Sequence, residues 1–167
     1  MRDPLDDIDR AILDALQRDA RTSIAALADA VGLTTTPLRA RLDKLEQTGV
    51  LRGYHADVDP AQVDRAVMAF VHVTLKDHAL ESHRRFVKAT TAMSEVLEVH
   101  HIAGDEDFLL KVVVESVRAF ESFLLDRLTP IAVIGRVKTT FVLSSAKHRG
   151  PVPLRDEAPV RAKRSTR

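Results

Sequence analysis

Hydrophobic positions at the start of the chain recur at the spacing of a helix. In the first segment they stand at offsets of 0, 3, 4, 7 and 8 residues, at Ile8, Ala11, Ile12, Ala15 and Leu16. Aspartates gather at its beginning, where the helix dipole favours negative charge. A second pattern of about two turns covers residues 24–31. Thr22 or Ser23 can cap its start, and Gly32 suits its end because glycine adopts a left-handed cap at least cost.

A third helix is predicted directly after the turn at Gly32. Thr34 is a suitable N-cap, and Pro37 is tolerated in the first turn, where amide groups have no intrahelical partner. This helix carries Leu38, Leu42 and Leu45 inward and ends at Gly49. Residues 50–55 predict a strand or short hairpin that follows it. Three short helices with a glycine turn, followed by a strand, predict a winged helix-turn-helix domain.

Strand and helix patterns alternate beyond residues 57–65, a polar break that contains Pro60. Residues 66–75, rich in valine and aromatic side chains, predict a strand, after which Asp77 can cap a helix. Residues 96–102 and 108–114 predict two strands that flank a turn at Gly104-Asp105-Glu106-Asp107. Ser116 can cap a second helix, and a fourth strand covers residues 134–143. The order β-α-β-β-α-β predicts the ferredoxin-like arrangement and an α+β chain.

Composition narrows the class of protein. The 167 residues have 45% hydrophobic and 29% charged side chains, which is ordinary for a globular protein of one or two small domains. The absence of cysteine excludes disulfides, thiolate metal sites and cysteine nucleophiles. No stretch approaches the ~20 apolar residues of a membrane span, and no signal peptide is evident. We therefore expect a cytoplasmic protein.

The charge distribution says more than the net charge of +1. Residues 148–167 hold six basic and two acidic side chains with three prolines and no apolar periodicity, which predicts a disordered basic tail. The expected organisation is a helix-turn-helix domain over residues 1–54 and a linker over 55–65. A ferredoxin-like domain over 66–147 and the tail follow.

The outward side of the third helix carries the chemistry of DNA recognition. Threonine hydroxyls and arginine side chains are suited to base edges and phosphates. A solvated three-helix bundle is the alternative for such a pattern taken alone. The candidate DNA-binding residues are Thr34, Thr35, Thr36, Arg39, Ala40, Arg41, Asp43, Lys44 and Arg52, of which Arg41 lies nearer the core side.

Residues 5–60 resemble the DNA-binding module of the Lrp/AsnC family of feast/famine transcriptional regulators. The shared positions are Arg21, Ser23, Leu27-Ala28, Gly32-Leu33, Arg41, Leu45-Glu46, Gly49 and Gly53-Tyr54, with Thr34 in place of the usual serine. In the second half, HIAGDEDFLLKVVV and VKTTFVLSSAK are similar to two further family motifs, so the resemblance extends to residue 147.

The resemblance implies a regulator that binds double-stranded DNA and a small effector, commonly an amino acid. It also implies a homodimer paired through its sheets, with tetramers or octamers of dimers as larger assemblies. By this resemblance the effector lies near Gly104, Asp105 and Asp107, with Thr139 on the last strand nearby. A glycine turn exposes N–H groups to a carboxylate and an aspartate accepts from an ammonium group, which suits an amino acid.

Two features weigh on this interpretation. Where the family usually has a glycine before its last strand, this chain has residues 131–134, and Gly135 comes two residues late, so we expect that loop to differ in shape from the family's. Five histidines could suggest a metal site, namely His72, His78, His83, His100 and His101. We expect no metal or cofactor, because His100 and His101 point to opposite faces of a strand and no metal-ligand spacing occurs.

Two other classes of function stay open. An enzyme on the same two-domain plan, such as the siroheme decarboxylases that resemble this family, is the alternative. It would need basic and aromatic groups around a histidine, whereas aromatic residues make up 4% of this chain. A sensor that no longer binds DNA is the third interpretation, and Arg39, Lys44 and Arg52 beside an uninterrupted helix-turn-helix pattern speak against it. We expect a regulator and not an enzyme.

Overall fold

The computed structural model describes residues 5–154 and divides the chain into two compact units. Within the described residues, the first unit contains residues 5–56 together with residues 147–154, and the second spans Asp57–Ala146. The sequence of the second unit is therefore inserted between two parts of the first.

Three helices form the first unit: α1 over Asp7–Arg18, α2 over Ile24–Ala30 and α3 over Thr35–Gln47. Asp6 caps α1 in a reciprocal arrangement with Asp9, and Ser23, one of the two predicted caps, accepts from the Ala26 N–H at 3.2 Å. The apolar faces meet in one core, as the spacing predicts: Ile12, Leu13, Leu16, Leu27, Ala28, Leu38, Leu42 and Leu45.

The turn between α2 and α3 depends on Gly32. Its φ of 69° is left-handed, and the Leu33 N–H returns to the Ala28 carbonyl at 2.9 Å, which closes the end of α2. Thr34 occupies the N-cap position of α3 as predicted, but its side chain makes no capping hydrogen bond. The turn fixes the start of α3 through backbone geometry and not through a threonine cap.

The predicted strand over residues 50–55 does not form, so the wing is absent from the described chain. Leu51 donates its N–H to the Leu45 carbonyl at 2.9 Å and packs on the helical core instead. A strand needs a neighbour for its backbone groups, and the described chain supplies none there. The segment leads through a short 3₁₀ turn at Pro60–Val63 into the second unit.

The second unit has the predicted order of strands and helices. Strands β1 to β4 cover Val67–Leu75, Val96–His101, Phe108–Val114 and Ile134–Phe141. They form an antiparallel sheet in the order β2-β3-β1-β4, with α4 over Leu80–Thr91 and α5 over Val117–Ser122 as the crossovers. This is the ferredoxin-like topology, and the chain is α+β. Alternate β1 residues from Ala69 to Leu75 are buried, and they lie in one core with α4 and α5.

Helix α4 begins later than its predicted cap indicates, and α5 changes its helical form. Ala79 is the N-cap of α4, and the Asp77 carboxylate accepts from the Ala79 N–H at 2.9 Å, so the predicted cap acts two residues before the N-cap. Helix α5 continues as a π-helical segment over Phe123–Leu128. Buried Phe123 and Leu128 are five residues apart, a spacing that a π turn places on one side.

The start of the predicted tail is ordered. Residues 150–154 lie along α1 in the first unit, where the Val152 N–H donates to the Gln17 Oε1 atom at 2.6 Å. The expectation of a wholly disordered tail is therefore wrong for these residues, because Leu154 finds an apolar surface to pack against. The remainder of the tail, residues 155–167, lies outside the described residues.

Candidate functional site

The solvent-facing side of α3 is continuous and polar. Among the predicted DNA-binding residues, those on α3 or its N-cap that are exposed are Thr34, Thr35, Thr36, Arg39, Ala40, Asp43 and Lys44. The buried leucines on the opposite side fix this orientation, because Leu38, Leu42 and Leu45 each expose 6% or less of their surface. The structure thus brings seven of the nine predicted residues onto one exposed helical surface, with the helix N-terminus at one end.

Arg41 has different surroundings from the seven exposed residues. Its guanidinium lies 2.6 Å from Asp6 and 2.7 Å from Asp9, at the start of α1. The hydrogen bonds that Arg41 donates to Asp6 and Asp9 raise the pKa of Arg41. The Asp9 backbone N–H and then Arg41, which both donate to the Asp6 carboxylate, lower the pKa of Asp6. Arg41 therefore joins α3 to α1, and its charge is compensated inside the first unit.

The segment after α3 is tied back to that helix. The Tyr54 hydroxyl donates to the Glu46 carboxylate at 2.9 Å, and partial burial together with this bond raises the pKa of Tyr54 to about 12. Arg52 is exposed on this segment, two residues before Tyr54. The hydrogen bond of Tyr54 to Glu46 therefore restricts the backbone around Arg52, the candidate for a phosphate contact.

The connection between β2 and β3 contains the predicted effector residues. Gly104 has a φ of 155°, which glycine alone adopts without strain, and Asp105 is exposed beside it. The Asp107 carboxylate accepts from the Leu75 N–H at 2.7 Å through Oδ2, and Oδ1 lies 3.3 Å from His78. Asp107 therefore fastens the turn to the end of β1, whereas Asp105 makes no hydrogen bond or ion pair within the described chain.

Thr139 does not lie beside this turn within one chain. It is paired with Val71, whereas Asp107 lies just beyond the pair of Val73 and Phe108. The two residues are about 10 Å apart along the strands, and β1 runs between them. A ligand held by both would need the turn and the last strand to come from different chains.

The loop that departs from the family motif has a compact structure. The Lys76 N–H donates to the Val133 carbonyl at 2.9 Å, which joins the loop to the end of β1. A Cβ atom on Gly135 would meet the Leu75 and Thr74 carbonyl oxygens at 3.2 Å each. This close approach accompanies an irregularity in the pairing of β1 with β4 between Thr74 and Leu75. The late glycine thus accommodates the strand that passes next to it.

The sheet face opposite the helices is mixed in character. It presents the partly exposed apolar residues Phe70 and Leu109 and the oppositely charged cross-strand pair of Glu98 and Lys111. Lys111 lies 3.0 Å from Glu98, and hydrogen bonds from His100 and then Lys111 lower the pKa of Glu98. Two side-chain atoms on this face are buried and have no hydrogen-bond partner in the described chain, His72 Nδ1 and Thr74 Oγ1. The alternation of buried and partly exposed residues along β1 produces this face.

His100 and His101 have different partners, as their opposite directions on the strand predict. His100 is bonded to Glu98 at 3.0 Å, and its neighbour His101 packs edge-on against His83 with ring centres 4.7 Å apart. No three side chains of histidine, aspartate or glutamate gather at a potential metal site anywhere in residues 5–154. Within the same residues, none of the helices has the length and apolar character needed to cross a membrane.

Comparison with known proteins gives two family matches that together cover most of the chain. Residues 5–46 match the AsnC-type helix-turn-helix domain, and residues 68–152 match the Lrp/AsnC ligand binding domain. The chain is 36% identical to the DNA-binding transcriptional activator DecR of Escherichia coli, over 90% of this chain and 99% of that protein. It is 35% identical to the leucine-responsive regulatory protein of the same organism, over 86% and 87%.

The similar solved structures are also those of transcriptional regulators. A transcriptional regulator from Neisseria meningitidis, solved as a complex with L-Met, is 31% identical with a TM-score of 0.84, over 90% of this chain and 97% of that one. An AsnC family transcriptional regulator from Agrobacterium tumefaciens is 36% identical with a TM-score of 0.83, with the same coverage. All these relatives are transcriptional regulators, and nothing in them favours the decarboxylase alternative.

Proposed function

Because the chain belongs to the Lrp/AsnC family, we propose that it is a transcriptional regulator that binds double-stranded DNA through α3 and responds to an amino-acid effector. The observation that carries the proposal is the exposed polar surface of α3, which follows a left-handed glycine turn within a helix-turn-helix match. Such a helix fits the major groove, where arginine and threonine can reach base edges. The relatives named above are bacterial regulators, which supports a cytoplasmic location for this chain.

We place the DNA-contacting residues on the exposed part of the predicted set. Arg39 is the candidate for base readout, because it is exposed in the middle of α3. Arg52 is the candidate for a phosphate contact at the edge of the surface. Arg41 stabilises the orientation of α3 through its ion pairs with Asp6 and Asp9 at the start of α1.

A homodimer formed through the open sheet face would complete this unit. Two partly exposed apolar residues, Phe70 and Leu109, would be covered by a second chain. A two-fold dimer presents two copies of α3, so its operator should be an inverted repeat with half-sites about 34 Å apart or a multiple of that.

Selection from a random duplex library tests DNA recognition. The full chain should enrich an inverted repeat, and the Arg39→Ala variant should enrich a different sequence or none. Enrichment of no sequence by the folded chain would contradict the proposal. Equal enrichment by the chain and its Arg39→Ala variant would leave DNA binding intact but move base readout to other residues.

The effector is proposed to bind near the turn at Gly104, Asp105 and Asp107. The exposed Asp105 can accept from an ammonium group, and the glycine leaves the backbone N–H groups of the turn open to a carboxylate. The related structure with bound L-Met supports the choice of amino acids. Thr139 would contribute from a second chain, since it is distant from the turn within one chain.

A thermal-shift screen of the twenty amino acids tests this part. A ligand that binds only the folded state, present at about 100 times its Kd, adds ~2.7 kcal/mol of stability. The expected result is one or a few stabilising amino acids whose effect is lost in Asp105→Ala. A screen without any stabilising amino acid would exclude this effector class.

A further inference from the structure

The C-terminal residues of the described chain are docked on the first helix of the protein. Gln17 makes two hydrogen bonds with one residue: its Nε2 donates to the Val152 carbonyl at 3.2 Å, and its Oε1 accepts from the Val152 N–H at 2.6 Å. Arg10 Nη1 donates to the Leu154 carbonyl at 2.6 Å. The Leu154 side chain packs on the core of the three helices. These contacts combine backbone recognition with one apolar anchor.

The sequence of this segment suits the docked conformation. Pro151 and Pro153 have no N–H to satisfy, so the Val152 N–H is the single backbone donor across the three residues, and Gln17 accepts from it. Each proline also restricts the residue before it to extended backbone. The segment therefore loses little conformational entropy when it docks, which favours binding of a short peptide without secondary structure.

The partners on α1 match the length and direction of the segment. Arg10 and Gln17 are seven residues apart, two helical turns, and thus lie on one side of α1 about 10 Å apart. Val152 binds Gln17 near the end of the helix and Leu154 binds Arg10 nearer its start, so the segment runs antiparallel to α1.

We propose that residues 150–154 are a clasp, an integral part of the first unit that holds α1 in place from the far end of the sequence. The chain leaves the first unit after Ala56 and returns to it at Lys147. The clasp therefore makes the helix-turn-helix unit depend on residues that follow the whole second unit. This role goes beyond DNA binding and does not rest on it.

Hydrogen exchange measured on three versions of the chain tests the clasp. The full chain is compared with a chain ending at Leu154, which keeps the clasp, and with one ending at Lys147, which lacks it. Amides of α1 should exchange about 10-fold faster in the chain that ends at Lys147, because α1 loses three hydrogen bonds and an apolar contact. Amides of β3, in the second unit, should exchange at the same rate in all three.

Two single substitutions in the full chain test the same contacts if the chain ending at Lys147 fails to fold. Gln17→Ala and Arg10→Ala should each speed exchange in α1 within the full chain. Arg18→Ala is the matched control, since Arg18 lies on the same helix but makes no hydrogen bond to the segment within the described chain.

Unchanged exchange of α1 in the chain ending at Lys147, or in both variants, would overturn the clasp. Equal acceleration in α1 and β3 would overturn it too, because the tail would then support the whole chain and not the first unit. None of these measurements involves DNA or an effector. Their failure and the failure of the proposed function are therefore distinguishable.

Discussion

Single arginines near α3 have different environments although they are close in sequence. Arg39 and Arg52 are exposed, whereas Arg41 lies against Asp6 and Asp9, and Asp9 is itself buried. Substitution of Arg41 is therefore expected to affect the helical unit itself, whereas substitution of Arg39 or Arg52 leaves it intact.

Arg39→Ala and Arg52→Ala should weaken DNA binding in different ways. Loss of a base contact at Arg39 should cost about 1–3 kcal/mol on the preferred site and relax its sequence preference. Loss of a phosphate contact at Arg52 should weaken binding to all duplexes alike and reduce the salt slope by about 1. Fluorescence anisotropy on specific and scrambled duplexes over a series of salt concentrations measures both. Identical salt slopes for Arg52→Ala and the parent would remove Arg52 from the interface.

Acid should weaken the first unit through Asp6. The pKa of Asp6 is lowered in the folded chain, so its contribution to stability is present above the ordinary aspartate pKa and is lost as the pH falls through the folded value. Asp6→Asn should therefore lower the free energy of unfolding at pH 7. It should also reduce the loss of that free energy between pH 7 and pH 3. Urea unfolding at the two pH values measures this, with Asp29→Asn, an exposed carboxylate on α2, as the control. If Asp29→Asn reduced the pH dependence of the free energy of unfolding by the same amount, Asp6 would not be its source.

Among the secondary-structure elements, the turn between α2 and α3 is set by backbone geometry. Gly32→Ala should destabilise the chain by about 1–2 kcal/mol, because an L-residue pays this cost in the left-handed region, although no atom lies within 4 Å of the added Cβ. Gly32→Asn should cost less, since asparagine tolerates that region. Urea unfolding of the three proteins is the measurement. If alanine and asparagine cost the same, left-handed strain is not the cause.

The two aspartates in the connection from β2 to β3 should have different roles, Asp107 in stability and Asp105 in effector binding. Asp107→Ala leaves the Leu75 N–H without its carboxylate partner and should cost about 1.5–3 kcal/mol of stability. Asp105→Ala should change stability by less than about 0.5 kcal/mol, because the carboxylate is exposed. Thermal unfolding of both variants without ligand measures this. Equal destabilisation would mean that Asp105 also holds the turn.

At the scale of the whole molecule, the clasp determines where the basic tail begins, and therefore how the tail can contribute to DNA binding. Beyond Leu154 the chain holds five basic and two acidic residues, and its starting point is fixed on α1 of the helix-turn-helix unit. Removing residues 155–167 should therefore weaken binding to specific and random duplexes by the same factor, more at low salt than at high salt. The melting temperature should not change, because the clasp remains. A selective loss on the specific site would show that the tail reads sequence.

The sequence alone determined the two-part plan and most of the candidate DNA surface. The leucines of α3 occur at helical spacing, so their burial and the exposure of Arg39 follow from periodicity. Strand alternation likewise placed β1 to β4 and separated His100 from His101. These features could be predicted because helix and strand patterns depend on neighbours within a few residues.

Only the tertiary structure decided which polar groups meet across long stretches of sequence. It assigned Arg41 to Asp6 and Asp9, fastened Asp107 to Leu75, left residues 50–55 without a strand partner, and docked Val152 on Gln17 across 135 positions. Each outcome depends on a hydrogen-bond partner that the local sequence does not contain. The physical reason is that backbone and charged groups need partners when they leave water, and the fold as a whole determines which partners lie within reach.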